Sequence, residues 1–127
     1  MLSDFAPVPT LAVSDLQRAR EFYEGVLGFT YEGDAVDGVM YRSGNGSFLV
    51  YPSAYAGTNK ATAMSLQLSA EAFDAEAAAL REKGVTFDEF EMDPITWDNG
   101  VATMPDGSRA AWFTDPDGNI LNIEVGM

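Results

Sequence analysis

The sequence of 127 residues contains no cysteine and no histidine. Without cysteine the chain can form no disulfide framework, thiolate nucleophile or cysteine metal site, and a reducing compartment suits it. Without histidine it lacks the side chain that most often transfers protons near neutral pH, and also the commonest transition-metal ligand. Any chemistry must therefore use carboxylates, Tyr, Lys, Arg or backbone groups.

Basic residues are also scarce, since 7 Lys and Arg stand against 20 Asp and Glu and the formal net charge is −13. Affinity for nucleic acid depends largely on basic side chains, so we do not expect binding to a phosphate backbone. The acidic balance is compatible with a cationic small molecule as partner. Acidic residues also serve simply to keep a protein in solution, which accounts for many of them.

Long apolar runs are missing as well. No stretch approaches the roughly 18 apolar residues of a membrane-spanning helix. The first residues, 1–5, do not show a basic segment followed by an apolar run. We therefore expect a cytoplasmic protein with no membrane partner.

The chain repeats one order of predicted elements: a strand, a helix and about three further strands. Each helix has an apolar stripe, a capping side chain (Ser14 or Asp15 in the first, Ser69 in the second) and a terminal glycine. Ser14 and Ser69 are 55 residues apart, and the glycines Gly28 and Gly84 are 56 apart, which indicates an internal repeat. The predicted strands lie at residues 8–13, 29–32, 39–42, 47–51, 63–68, 85–91 and 100–104, with a hairpin from 109.

The predicted fold class is α+β, with two tandem βαβββ units at about residues 6–53 and 62–126 of one domain that covers residues 1–127. A single helix covers only one face of its sheet, so the other face needs a partner. A second curved copy is the obvious partner. The two units would then form curved sheets around a cavity.

The C-terminal hairpin is the most informative stretch. Asp115, Pro116 and Gly118 are the residues that a type I turn prefers. In the strand that follows, large apolar residues alternate with Asn122 and Glu124, so one face is apolar and the other carries an amide and a carboxylate. This polar face is either a binding surface or the solvent side of a half-buried sheet.

Three stretches resemble the vicinal oxygen chelate superfamily, which includes glyoxalase I, extradiol dioxygenases, fosfomycin-modifying transferases and bleomycin resistance proteins. They are Val13-Ser14-Asp15-Leu16, Phe22-Tyr23-Glu24-Gly25-Val26-Leu27-Gly28-Phe29 and Asp115-Pro116-Asp117-Gly118-Asn119. The resemblance covers nearly the whole chain. It does not fix the activity, because the superfamily uses one cavity for several chemistries and for sequestration.

The resemblance also implies where a divalent metal would bind. Enzymes of the superfamily typically hold the ion with His, Gln or Glu from the first and last strands of each unit. The matching positions here are Val8, Leu49, Ala63 and Asn122. Transition metals need several imidazole or carboxylate donors, and Glu124 alone does not supply them. We therefore expect neither a metal nor another cofactor.

Strand alternation, read with the resemblance, places aromatic, small and polar side chains on the cavity face. We expect Trp112 to be a cavity wall, with core packing as the alternative. Trp97, in a loop at residues 93–100, is either a lid or an anchor that holds the loop. The expected ligand-binding residues are Thr10, Leu49, Tyr51, Ser65, Gln67, Trp97, Trp112, Asn122 and Glu124.

The sequence thus predicts a metal-independent small-molecule binding protein of the glyoxalase/bleomycin-resistance type, which sequesters an antibiotic or metabolite with Glu124 as its polar anchor. The alternative is an enzyme with lyase, isomerase or dioxygenase-like activity, in which Glu124 acts as acid or base near Tyr51. A third hypothesis is a structural or regulatory module with a vestigial cavity. We also expect a homodimer, because a two-unit chain leaves sheet edges to cover.

Overall fold

The computed structural model describes residues 1–91 and 93–126. After a short 3-10 turn (Leu2–Asp4), the first half contains β1 (Thr10–Val13), α1 (Leu16–Arg20), a π-helical continuation (Glu21–Val26), β2 (Thr30–Ala35), β3 (Gly38–Ser43) and β4 (Gly46–Pro52). The second half contains β5 (Thr62–Gln67), α2 (Ala70–Glu82), β6 (Thr96–Asp98), β7 (Val101–Thr103), β8 (Arg109–Thr114) and β9 (Ile120–Val125).

The strands form two sheets, one of four strands in the order β1-β4-β3-β2 and one of five in the order β5-β9-β8-β7-β6. The predicted α+β class with tandem βαβββ units is confirmed, although the sheet of the second unit has five strands, one more than a βαβββ unit contains. No helix in the described part of the chain is long and apolar enough to cross a membrane.

The chain divides into two compact units. The first consists of residues 1–63 together with 115–119, and the second of residues 64–114 and those from 120 onward. The turn between β8 and β9 is therefore part of the first unit, although both flanking strands belong to the second.

In the first unit, α1 covers one face of the four-stranded sheet. Asp15 caps the helix, because its side chain accepts a hydrogen bond from the Arg18 backbone N–H at 3.1 Å. The helix and its continuation turn two buried residues, Ala19 and Tyr23, toward the core. The sheet contributes Leu11, Val13, Val39, Tyr41, Phe48 and Val50 to that core.

In the second unit, Ser69 caps α2 as predicted, accepting a hydrogen bond from the Ala72 N–H at 3.2 Å. Phe73 and Ala77 are the buried residues of this helix. Alternation along β8 and β9 gives the matching buried side chains, Ala111, Phe113, Leu121 and Ile123. The apolar face predicted for the last strand is therefore a core face.

Two local predictions in the second unit are wrong. Residues 85–91 do not form a strand. They make a single backbone bridge, from Asp88 to Trp112, and a strand needs a ladder of such pairs. Residues 93–100, expected as an irregular loop, contain β6, which pairs with β7 through a two-residue turn at Asn99 and Gly100. These two residues have φ values of 50° and 81°, the left-handed conformations that a tight hairpin turn requires.

Candidate functional site

The register of β8 and β9 gathers several predicted site residues on one face of the five-stranded sheet. Trp112 lies directly opposite Asn122, and Ala110 lies opposite Glu124. Opposite residues in antiparallel strands project from the same face, and so do residues two apart in one strand. Trp112, Asn122 and Glu124 therefore share a face, which is the one opposite the buried residues of α2.

The same face continues across the next two strands. Ala102 of β7 is opposite Ala110 of β8, and Trp97 of β6 is opposite Ala102. Trp97 thus belongs to the row of side chains that ends at Glu124, with two alanines between them. Both alanines are 0% exposed, so the middle of this row is covered by other side chains.

Four polar side chains on β5 and β9 form a hydrogen-bonded line, which we call the polar row: Ser65, Gln67, Asn122 and Glu124. The Ser65 hydroxyl donates to Asn122 Oδ1 at 2.5 Å, and Asn122 Nδ2 donates to Glu124 Oε1 at 2.5 Å. Gln67 Nε2 donates to Glu124 Oε2 at 3.1 Å. Both oxygens of the Glu124 carboxyl group therefore accept an amide hydrogen bond.

Exposure divides the polar row into an accessible part and a supporting part. Asn122 is only 1% exposed. Ser65 and Gln67 are exposed and Glu124 is partly exposed. A ligand at this surface would thus meet Glu124, Gln67 and Ser65, while Asn122, predicted as a ligand-binding residue, holds the Glu124 carboxylate from beneath.

Three aromatic rings, Phe90, Trp97 and Trp112, form the aromatic cluster of the second unit. The Phe90 ring centroid lies 5.1 Å from that of Trp97 and 5.0 Å from that of Trp112, with interplanar angles of 70° in both pairs. The two tryptophan centroids are 6.0 Å apart. Trp97 therefore lies in a strand against other rings, so the loop position predicted for it is wrong.

The sequence did not identify Phe90 as a site residue. It is 38% exposed and stands between Glu89 and Glu91 in the stretch predicted as a strand. The sequence signal that could have identified Phe90 is an aromatic residue between two acidic residues at the end of a predicted strand. Beside the cluster is an open pocket with a volume of about 770 Å³, lined by Glu89, Phe90, Glu91, Asp93, Ile95 and Trp97.

The remaining predicted site residues, Thr10, Leu49 and Tyr51, lie in the first unit. Thr10 pairs with Leu49 across the parallel strands β1 and β4, and Tyr51 is two residues further along β4. Thr10 is exposed, and Leu49 and Tyr51 are partly exposed. The structure thus arranges the predicted residues as two sets, one on each sheet.

The positions at which the resemblance places metal ligands do not suit a metal ion. Val8, Leu49 and Ala63 have no side-chain donor atoms. The oxygen of Asn122 already accepts the Ser65 hydroxyl. Across residues 1–91 and 93–126, no group of three or more His, Cys, Asp or Glu side chains could hold a metal. We therefore assign no chemical step to a divalent metal.

The turn at residues 115–119 is one of the motifs that carry the resemblance. Side-chain hydrogen bonds hold it in place in the first unit. Asp115 Oδ1 accepts the backbone N–H groups of Asp117 and Asn119. Asp115 Oδ2 accepts the Tyr23 hydroxyl at 2.8 Å, and Asp117 Oδ1 accepts the Ser14 hydroxyl at 2.6 Å. Burial, with the charge of Asp115, raises the pKa of Tyr23. The motif is therefore a marker of the fold, and it does not indicate which chemistry the protein performs.

Comparison with known proteins gives the same fold. The family model described as Glyoxalase/Bleomycin resistance protein/Dioxygenase superfamily matches residues 6–123. A member of that superfamily from Sphaerobacter thermophilus has 28% identity, a TM-score of 0.67 and coverage of 97% of this chain and 99% of its own. Among curated protein sequences, none matches this chain.

Two further solved structures are similar in fold alone, since each has 17% sequence identity. The fosfomycin resistance protein FosX from Mesorhizobium loti has a TM-score of 0.68, with 98% of this chain and 93% of that chain covered. Lactoylglutathione lyase from Agrobacterium tumefaciens has a TM-score of 0.68, with 95% and 93% covered.

Proposed function

The chain belongs to the glyoxalase/bleomycin resistance protein/dioxygenase superfamily, and from that premise we propose that it is a metal-independent binding protein for a small molecule. It sequesters an antibiotic or a metabolite and returns it unchanged. The proposed binding surface comprises the accessible part of the polar row, with Trp112 as its wall. Thr10, Leu49 and Tyr51 are proposed as a separate set of ligand-binding residues on the sheet of the first unit.

The observation that supports this proposal most is the state of Glu124. Its two carboxylate oxygens are each held by an amide donor, from Asn122 and from Gln67, and the side chain remains partly exposed. Each oxygen keeps a further lone-pair site that a ligand donor can use. A carboxylate fixed in this way is a preorganised acceptor for a cationic or hydrogen-bond-donating group.

The same geometry limits the catalytic roles open to Glu124. A carboxyl group whose two oxygens both accept amide hydrogen bonds is poorly placed to donate a proton as a general acid, whereas a general base would keep these bonds. The sequence offers no histidine to take the proton-transfer role instead. The experiment must therefore be able to detect lyase, isomerase or dioxygenase-like turnover.

The test is ligand binding by the purified protein and by Glu124→Gln. A compound library can be screened through intrinsic fluorescence, because the chain has 2 tryptophans and Trp112 lies beside the polar row. A charge-assisted hydrogen bond contributes roughly 1.5–3 kcal/mol. Losing it in Glu124→Gln should weaken binding about ten- to a hundredfold. Trp112→Ala should cause a comparable loss through missing contact area.

The matched control is Glu76→Gln, which makes the same charge change on an exposed residue of α2. It should leave affinity unchanged. Prolonged incubation followed by chromatography should return the ligand intact. Conversion of the ligand, with turnover abolished but affinity retained in Glu124→Gln, would show that Glu124 is a catalyst and that the binding-protein proposal is wrong.

A further inference from the structure

We infer that the open pocket beside the aromatic cluster binds an organic cation, namely an alkylammonium or quaternary ammonium group on a small molecule. The pocket is lined by Glu89, Phe90, Glu91, Asp93, Ile95 and Trp97. This inference rests on the proposed function, since it names the chemical class of the ligand and the part of the second unit that selects it.

The aromatic faces supply the first part of the argument. Phe90 and Trp97 both line the pocket, and Phe90 is 38% exposed. A cation within about 6 Å of a ring centroid is attracted by the negative face of the ring, most strongly for tryptophan. The rings of the cluster lie 5.0–6.0 Å from one another, so a cation cannot enter between them. It would instead contact the parts of the Phe90 and Trp97 rings that line the pocket.

The carboxylates supply the second part. Glu91 and Asp93 are exposed at the pocket, and no basic residue is among its lining residues. Glu89 also lines it, while its Oε2 accepts the Gly100 backbone N–H at 2.8 Å. Three acids around an aromatic surface create a negative potential that attracts a cation and repels an anion.

The combination favours an organic cation over a metal ion. Although three carboxylates line the pocket, no three acidic side chains among the described residues are grouped so that they could hold a metal ion. The aromatic rings and the isoleucine side chain offer an ion such as Mg²⁺ no ligand, and such an ion holds its hydration shell strongly. An ammonium group carrying methyl or methylene groups is weakly hydrated and gains from apolar contact and ring faces together.

Choline is a suitable probe, and its uncharged carbon analogue, with a tert-butyl group in place of the trimethylammonium group, is the matched comparison. The shift of the tryptophan indole N–H signals in proton NMR measures binding of each. We expect choline to bind about tenfold more tightly than the analogue, with an affinity that falls as salt is added.

Two variants locate the site. Trp97→Leu should lower the affinity for choline about tenfold. The double variant Glu91→Gln with Asp93→Asn changes exposed side chains only, so it tests the pocket even if Trp97→Leu fails to fold, and it should lower affinity severalfold. The control pair Glu76→Gln with Glu82→Gln makes the same change of net charge on exposed positions of α2 and should have no effect.

The inference is wrong if choline produces no shift, if choline and the carbon analogue bind alike, or if the double variant binds choline as the parent does. The proposed function is judged separately through Glu124→Gln. A neutral ligand that depends on Glu124, found together with no choline binding, would retain the proposed function and overturn the cation site. Choline binding that depends on Trp97, with no ligand that depends on Glu124, would do the reverse.

Discussion

The hydrogen bond between Tyr23 and Asp115 joins two buried side chains within the first unit. Tyr23 is 0% exposed and Asp115 4%. In Tyr23→Phe, the carboxylate keeps its Asn119 donors but loses the phenol, so we expect the free energy of unfolding in urea to fall by about 1–2 kcal/mol. Tyr55→Phe, at a residue 78% exposed, should change it by less than about 0.5 kcal/mol. Equal effects would contradict a structural role for the bond.

The same pair predicts a pH dependence. The ordinary pKa of a tyrosine is 10.0, and burial raises the pKa of Tyr23 above it in the folded state. Below pH 10 the phenol is protonated in both states, so its contribution to stability is complete. As the pH rises above that value, the unfolded chain loses the proton first, and stability falls. Urea titrations at increasing alkaline pH should show this fall, with a smaller slope in Tyr23→Phe.

At the scale of single residues, the sequence located the polar row better than it assigned the roles within it. Alternation along β9 is a local pattern, so it predicted that Asn122 and Glu124 share a face. It could not show that Asn122 is buried and Glu124 accessible, because burial depends on side chains such as Ser65 that lie far away in sequence. Phe90 was missed for the same reason, since its ring contacts come from distant strands.

The hairpin of β6 and β7 carries Trp97 into the aromatic cluster, and its turn has no room for a side chain at Gly100. A Cβ atom there would lie 2.6 Å from the Phe87 Cβ, and the φ of 81° favours glycine. We expect Gly100→Ala to lower the free energy of unfolding by about 2–4 kcal/mol through strain and overpacking. Gly107→Ala is the control.

Gly107 has a φ of 90° but no atom within 4 Å of the added Cβ, so its substitution should cost only the backbone strain of about 1–2 kcal/mol. Chemical denaturation of the two variants decides the matter. If the free energy of unfolding falls equally in the two variants, the close approach of Gly100 to Phe87 adds nothing to the cost of the substitution.

At the scale of elements, the long periodic segments were predicted correctly and the stretch between residues 85 and 100 was not. The Asn99-Gly100 dipeptide is a strong hairpin signal and could have predicted β6 and β7. The strand expected at 85–91 failed because Phe87 and Glu89 are held by side-chain contacts, to Phe113 and to the Gly100 N–H, with no ladder of backbone bonds. Local alternation does not distinguish these two kinds of support.

For the whole molecule, we predict a homodimer. The outer strands of the described sheets are β1 and β2 in one and β5 and β6 in the other. Outer strands with unpaired backbone groups favour association with a second copy unless other elements cover them. Light scattering at micromolar concentration should give about twice the chain mass of 13.7 kDa. A mass of one chain at every concentration would contradict the prediction.

The division of the chain into units has a consequence for synthesis on the ribosome. The acceptor of the Tyr23 hydroxyl, Asp115, follows it by 92 positions, and Asp117 follows Ser14 by 103. A nascent chain that has released all of residues 1–63 therefore still lacks the turn that completes this unit. Since domains ordinarily fold as they emerge, the first half must wait for the second. The last strand of the second unit, β9 (Ile120–Val125), is released later still, so neither unit is complete until residues 115–125 have emerged.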